Sequence, residues 1–326
     1  MSAAPPELAA HDRVGGAAHR PASVIEVLTI DAGADLTQPA VRRDALDALE
    51  GGGVVLLPSV GFELNARERH LLSDLRNILA REPDGDNGRP TIIFDPTRGK
   101  LANFNYAFSG WKLVRADVKR SVLPELQAMM VRYGGWAEDL IARVLPSYRS
   151  VLDRDRITYR PTRRNAVQPL HVDSAYGYPT QGRGMLRVFC NIDPFDRPRV
   201  WQLGEPFECF ARRFLPSVSL RRPSWTTAAL SRLGIIGGAQ TPYDRMLAEL
   251  RRLGKGDVTY QRTAPRRVVE FPGGATWIAI TDLVLHGAVS GQHSIDQTFF
   301  LPPTAMRDAA RSSLRILERL SGQRLV

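Results

Sequence analysis

From Asp153 to Pro302 the sequence breaks into short runs rich in β-branched, aromatic and aliphatic residues, separated by glycine and proline. "RITYR", "PLHVD", "MLRVFCNI" and "PRVWQLG" come first; "RRVVEF", "ATWIAITDLVLHG" and "SIDQTFFLP" follow, after the turns "PGG" and "SGQH". Strands this short at regular spacing cannot each bury a face alone, so they must close into a β-sandwich or jelly roll. Between the two groups lies a polar, basic segment, about 205–255, with helical character. "AMRDAARSSLRILERL" closes the chain as a helix. Upstream, 26–150 reads as mostly helical and packs on the core. Its strands are "VIEVLTI" and "VVLLP", "RPTIIFDPTRGKLANFNYAF" alternates strand and turn chemistry, and its long helical stretch is expected to break into two at Gly134–Gly135. Residues 1–25, rich in Ala, Pro and Gly, are read as a loose tail. The expected class is α+β, with the core spanning 151–326.

Composition limits the partners. The formal charge is +10 and only four lysines are present, Lys100, Lys112, Lys119 and Lys255, so the positive charge is nearly all arginine. Arginine suits bidentate binding of carboxylate and phosphate, and a basic surface attracts nucleic acid, acidic lipid or phosphorylated sugar. Nucleic acid is the weaker expectation, because no zinc-finger or RNA-recognition signature occurs and aromatic residues are not interleaved with the basic ones. "GGG" at 51–53 lacks the downstream Lys-Ser/Thr of a phosphate loop. Cys190 and Cys209 form neither a disulfide framework nor a thiolate metal motif, which points to a reduced, cytoplasmic setting. No apolar run suits a signal peptide or a bilayer span.

"QPLHVDSAYGYP", at 168–179, carries the chemistry. On a strand, residues i and i+2 share a face, so His171 and Asp173 can both point inward as metal ligands. A hydrogen-bonded polar turn is the other reading of so short a pattern. A second histidine would complete the two-histidine, one-carboxylate set of non-haem Fe(II) oxygenases. His286, at the end of an apolar strand, is favoured over His293, which lies in the turn "SGQHS". In "MLRVFCNI", Arg187, Phe189 and Asn191 share a face. An inward arginine requires an anion, which is either a buried acid or the carboxylate of a bound keto acid. Tyr159, on the preceding strand, would be a hydroxyl donor or a core aromatic.

The long segments "LHVDSAYGYPTQGRGMLRVFCNIDPFDRPRVWQLGEPFECFARRFLP" and "TDLVLHGAVSGQHSIDQTFFLPPTAM" resemble the Kdo hydroxylases, over roughly residues 150–310, and "ALEGGGVVLLP" is similar to that family's opening. The resemblance implies a double-stranded β-helix (jelly-roll) core with Fe(II) on His171, Asp173 and His286. It implies 2-oxoglutarate and O2 as cosubstrates, and hydroxylation of C3 of the Kdo sugar of Kdo-lipid A, the lipopolysaccharide precursor, to give Ko with release of succinate and CO2. Many relatives in the wider superfamily carry an arginine ten or eleven residues past the second histidine; here those positions are Asp296 and Gln297. Arg187 then becomes the candidate cosubstrate anchor, with Tyr159, Asn191 and Gln297 beside it. Arg163 and Arg164 are candidates for the substrate's anionic groups or a solvated basic loop. The basic insert would rest on anionic headgroups, giving a cytoplasmic protein peripheral to the inner membrane, or form a lid on the core. The competing expectations are an oxygenase of another anionic substrate and a basic nucleic-acid-binding protein.

Overall fold

Val54–Leu57, sequence VVLL, is buried at every position, as a strand must be when both its faces are covered. The same holds for Thr276–Ile280 and Ser294–Leu301, and it defines the architecture. The computed structural model describes residues 24–74, 91–97, 99–103, 119–161, 167–174, 179–219 and 240–326. Among these, eleven strands form two sheets: β1 (Val27–Thr29), β2 (Val54–Leu57), β3 (Ile92–Asp95), β4 (Lys100–Asn103), β5 (Asp153–Arg160), β6 (Gly184–Asn191), β7 (Arg199–Pro206), β8 (Arg267–Phe271), β9 (Thr276–Ile280), β10 (Val284–Ser290) and β11 (Ser294–Leu301). The large sheet runs β1-β2-β9-β6-β11-β5-β3-β4 and the small one β10-β7-β8. All pairings are antiparallel except β1 with β2.

The helices are α1 (Pro39–Glu50), α2 (Ala66–Ser73), α3 (Lys119–Val144), α4 (Phe207–Phe214), α5 (Pro242–Gly256), α6 (Val258–Thr263) and α7 (Ser313–Ser321). Helices α4 to α6 lie between β7 and β8 in sequence. The upstream part is more than a helical layer, since β1 and β2 extend one edge of the large sheet and β3 and β4 the other. Helix α3 is continuous, which corrects the expected break at Gly134–Gly135. Gly134 serves close approach instead. A Cβ there would lie 2.8 Å from Ile157 Cδ1 and 3.4 Å from Gln297 Oε1, so its lack of a side chain lets α3 settle on β5 and β11.

Register decides which face each residue serves. β11 sits between β5 and β6, with Asp296 opposite both Thr158 and Phe189 and Thr298 opposite Arg187. One face of the large sheet therefore carries Arg160, Arg187, Phe189, Trp277 and Asp296; the other carries Tyr159, Ile157, Val188 and Gln297. Helix α3 covers the second face, its Tyr133 hydroxyl donating to Val188 O at 2.8 Å. The small sheet covers the first through aromatic contacts. Phe189 meets Trp201 edge-on at 5.0 Å, and Phe271 stacks on Trp277 at 4.1 Å. Each such pair contributes about 0.5–1.5 kcal/mol beyond its area burial.

Candidate metal centre

The segment around His171 is extended and joins the free edge of β10 through a single bridge, His171 opposite His286. Gln168 N donates to Ala288 O (2.8 Å), His171 N to His286 O (3.0 Å), His286 N to His171 O (2.9 Å) and Asp173 N to Thr281 O (2.9 Å). Opposed residues on antiparallel strands present side chains on one face, as do residues two apart on a strand. Backbone pairing alone therefore brings His171, Asp173 and His286 together, with one ligand atom of each within 4.8 Å of the others. His171 Nε2 lies 3.7 Å from Asp173 Oδ1 and His286 Nε2 4.0 Å from Asp173 Oδ2. The pairing of β10 with β7 slips between Val284 and His286, an irregularity of the kind that re-aims a side chain at a site. His293 is not part of the cluster. It is buried behind the turn, with Nδ1 2.8 Å from the Tyr159 hydroxyl.

Each imidazole is oriented through its other nitrogen. His171 Nδ1 donates to Pro169 O at 2.8 Å and His286 Nδ1 to Val284 O at 2.9 Å. A neutral imidazole has one proton, so both Nε2 atoms carry lone pairs; that of His171 faces the Gln168 amide at 3.3 Å, whose place a cation would take. Burial lowers the pKa of both rings, and for His171 the neighbouring His286 and Arg251 lower it further. Burial pulls the Asp173 carboxyl upward, but Arg187, His286, Arg251 and His171 together outweigh it and hold the group well below the usual carboxylate range. At pH 7 the cluster is thus two neutral imidazoles and a carboxylate, already deprotonated, which fits a divalent first-row metal bound on one face with positions left open. Trp201 stacks on His286 at 4.8 Å and closes that side with an apolar ring.

Arg187 meets two acids of the protein itself. Its Nη1 donates to Asp173 Oδ2 at 2.5 Å, and its Nη2 and Nε to Asp296 Oδ2 at 2.5 and 3.1 Å. Holding Oδ2 leaves Oδ1 of Asp173 for a metal. Arg160 donates to the other oxygen of Asp296. The buried Asp296 therefore bridges two guanidiniums, and the four charges of Arg160, Arg187, Asp173 and Asp296 balance.

The other predicted site residues fall elsewhere. Tyr159 and Gln297 occupy the opposite face of the sheet. Tyr159 bonds His293, and Gln297 Nε2 donates to Asp155 O (2.9 Å) and Thr298 O (2.7 Å). Asn191 shares Arg187's face, but its amide is spent on the carbonyls of Arg197, Phe271 and Pro272. The expected cosubstrate set is therefore not gathered in one place, and of the three only Asn191 shares a face with Arg187. Arg163 and Arg164 lie outside the described residues. Arg160, Asp296, Gln168 (Nε2 3.3 Å from His171 Nε2) and Arg251 (Nη1 3.2 Å from Ser174 O) border the cluster without having been expected there. The advance sign was Asp296 itself, an acid at one of the two positions where the superfamily pattern led an arginine to be expected.

Comparison with known proteins places this arrangement. A family model described as 3-deoxy-D-manno-oct-2-ulosonic acid (Kdo) hydroxylase matches residues 33–324. A search of curated proteins finds no match. Among solved structures, the Kdo hydroxylase KdoO, a non-heme Fe(II) alphaketoglutarate-dependent dioxygenase in complex with alphaketoglutarate and Fe(III), is 30% identical. It superposes with a TM-score of 0.76 over 92% of this chain and 97% of that one. Its apo form and its complex with succinate and Fe(III) each give a TM-score of 0.75 at the same identity and coverage. No helix among the described residues is long and apolar enough to cross a membrane. With its match running nearly end to end and its deprotonated His-Asp-His cluster, the chain belongs to the Kdo hydroxylase family.

Proposed function

We propose that this chain is an Fe(II)/2-oxoglutarate-dependent dioxygenase that hydroxylates C3 of the Kdo sugar of Kdo-lipid A to give Ko, releasing succinate and CO2. The observation that carries the reading is the cluster of His171, Asp173 and His286, with both Nε2 atoms freed by backbone carbonyls. These three would hold the iron, and the two facing sheets would form the double-stranded β-helix around it. Iron, 2-oxoglutarate and O2 together supply the oxidising power that converts a C–H bond to C–OH.

The side chains do the rest. Arg187 keeps Asp173 ionised and turned. Arg187 and Arg160, linked by Asp296, would present the guanidinium N–H groups that the cosubstrate's carboxylate meets. Trp201, Phe189 and Trp277 exclude water from that side, which strengthens every charge interaction within. The substrate is anionic, in accord with a chain of formal charge +10, and the protein would meet it at the face of the inner membrane.

Anaerobic titration with Fe(II) and 2-oxoglutarate tests the chemistry. A weak visible charge-transfer band is expected in wild type and should vanish in His171→Ala. Its absence in wild type would refute the iron and cosubstrate assignment. Mass spectrometry of lipid A sugars after turnover then reads the substrate: an added oxygen on Kdo, located at C3 by fragmentation, is the expected product.

A further inference from the structure

The segment between β7 and β8 grips the metal-bearing strand at both ends. On one side, Gln261 of α6 clasps Leu170, the residue before His171. Leu170 N donates to Gln261 Oε1 at 2.8 Å, and Gln261 Nε2 donates back to Leu170 O at 3.0 Å and to Gly254 O at 2.8 Å. A side-chain amide here takes the place of a neighbouring strand. On the other side, Arg251 of α5 donates from Nη1 to Ser174 O at 3.2 Å, and Ser174 follows Asp173. Helix α5 is itself fixed: Thr241 and Asp244 form a reciprocal cap at its start, and Asp244 accepts from Thr180 N at 2.8 Å. Arg251 is thus held at a set position beside the cluster, and its charge reaches all three ligands, adding to the effects of burial on His171 and His286 and of Arg187 on Asp173.

The substrate's own chemistry requires a cation at that place. In a 3-deoxy-2-ulosonic acid the carboxylate is C1, two bonds from the C3 methylene. If C3 is brought to the metal, the carboxylate is brought there too. Arg187 and Arg160 come from the core strands, where Asp296 joins them. Arg251 comes from the helical segment inserted between β7 and β8. A guanidinium carries five N–H donors in a planar fork and can hold a backbone carbonyl and a carboxylate at once. We propose that Arg251 is the residue that binds the carboxylate of the acidic sugar, with the core arginines serving the keto acid and the inserted helix serving the substrate. The assignment rests on the reading of the substrate as Kdo attacked at C3.

The test is equilibrium binding by calorimetry, using the full chain loaded with Ni(II) and 2-oxoglutarate so that no turnover intervenes. The probes are the methyl glycoside of Kdo and its carboxyl methyl ester; neither carries phosphate, so lipid A phosphates play no part. Wild type should bind the acid about 10-fold or more tightly than the ester. Arg251→Gln should weaken the acid to the level of the ester and leave the ester unchanged. Arg251→Lys, which keeps the charge but loses the fork, should fall between. Arg252→Gln, on an exposed arginine paired with Glu249, should behave as wild type. The Fe(II)/2-oxoglutarate band should persist in Arg251→Gln; its loss would place Arg251 with the cosubstrate and overturn the assignment. An acid preference that survives Arg251→Gln, or equal weakening of both probes, would overturn it while leaving the Kdo reading standing. No preference in wild type would overturn both.

Discussion

His171 and His286 can serve as metal ligands at neutral pH because burial has already removed their protons. Both folded-state pKa values lie below the ordinary 6.5. A cation therefore displaces no proton from either ring at neutral pH, and competition begins only below that range. Metal affinity, measured by Co(II) titration, should be nearly flat from pH 8 to about 6.5 and fall steeply at lower pH. The metal-free fold should follow the same sign. A depressed histidine pKa means the unfolded chain takes up protons first, so this contribution is complete above 6.5 and is lost as pH falls through the folded values. Asp296 offers a second test at this scale. Removing it as Asp296→Ala leaves Arg187 and Arg160 without the acid between them, which should destabilise the fold by about 3–5 kcal/mol in denaturant titrations. How much of this was legible follows from where the information lies. The pairing of His171 with Asp173 is written in their spacing. The fate of Tyr159, Asn191 and Gln297 is not, because the large sheet is covered on both faces. With β11 buried at every position, no polar alternation reveals which parity faces the His-Asp-His cluster. The Arg160–Asp296–Arg187 bridge depends on β11 lying between β5 and β6, a register no local pattern encodes.

At the level of elements, the cluster depends on two extended segments lying closer than side chains usually allow. Gly287 follows His286, and a Cβ on it would lie 2.3 Å from Gln168 O and 3.1 Å from Pro169 O, both backbone atoms of the His171 segment. Gly287→Ala must therefore push that segment off β10 and part His171 from His286. Metal affinity should fall by about 10-fold or more, the scale seen when support around a metal ligand is lost, while far-UV circular dichroism stays close to wild type. Gly135→Ala is the matched control. It lies inside α3 with open space at its Cβ, and should stabilise the protein by about 0.5–1 kcal/mol with metal affinity unchanged. Comparison of these two glycines shows why the sequence misleads at this scale. A glycine pair inside a helical pattern suggests a break, yet Gly134 and Gly135 leave α3 intact. Gly287 reads as an ordinary strand residue, yet it is the one on which the centre closes. Both outcomes are set by what packs opposite, which local propensity does not contain.

For the molecule as a whole, the charge cannot be neutralised from within. Many arginines have acidic partners on the surface, such as Arg212 and Arg319 with Glu208, Arg252 with Glu249 and Arg315 with Glu318. With 44 basic and 34 acidic residues, however, an excess of ten remains however they are paired. A field of that sign draws the protein toward anionic surfaces, and each basic residue brought near such a surface adds about 1 kcal/mol. Exposed partners such as these pairs contribute little to folding, about 0–1 kcal/mol each, so their arginines can exchange a carboxylate for a lipid phosphate at small cost. Sedimentation with vesicles follows the exchange directly. The protein should pellet with vesicles containing anionic phospholipid at low ionic strength and leave them as salt shortens the Debye length from about 10 Å at 0.1 M to about 3 Å at 1 M. Vesicles of neutral lipid should not retain it at any salt concentration. Retention on neutral vesicles, or binding to anionic ones that salt does not reverse, would mean that an apolar surface rather than the arginine excess makes the contact with lipid.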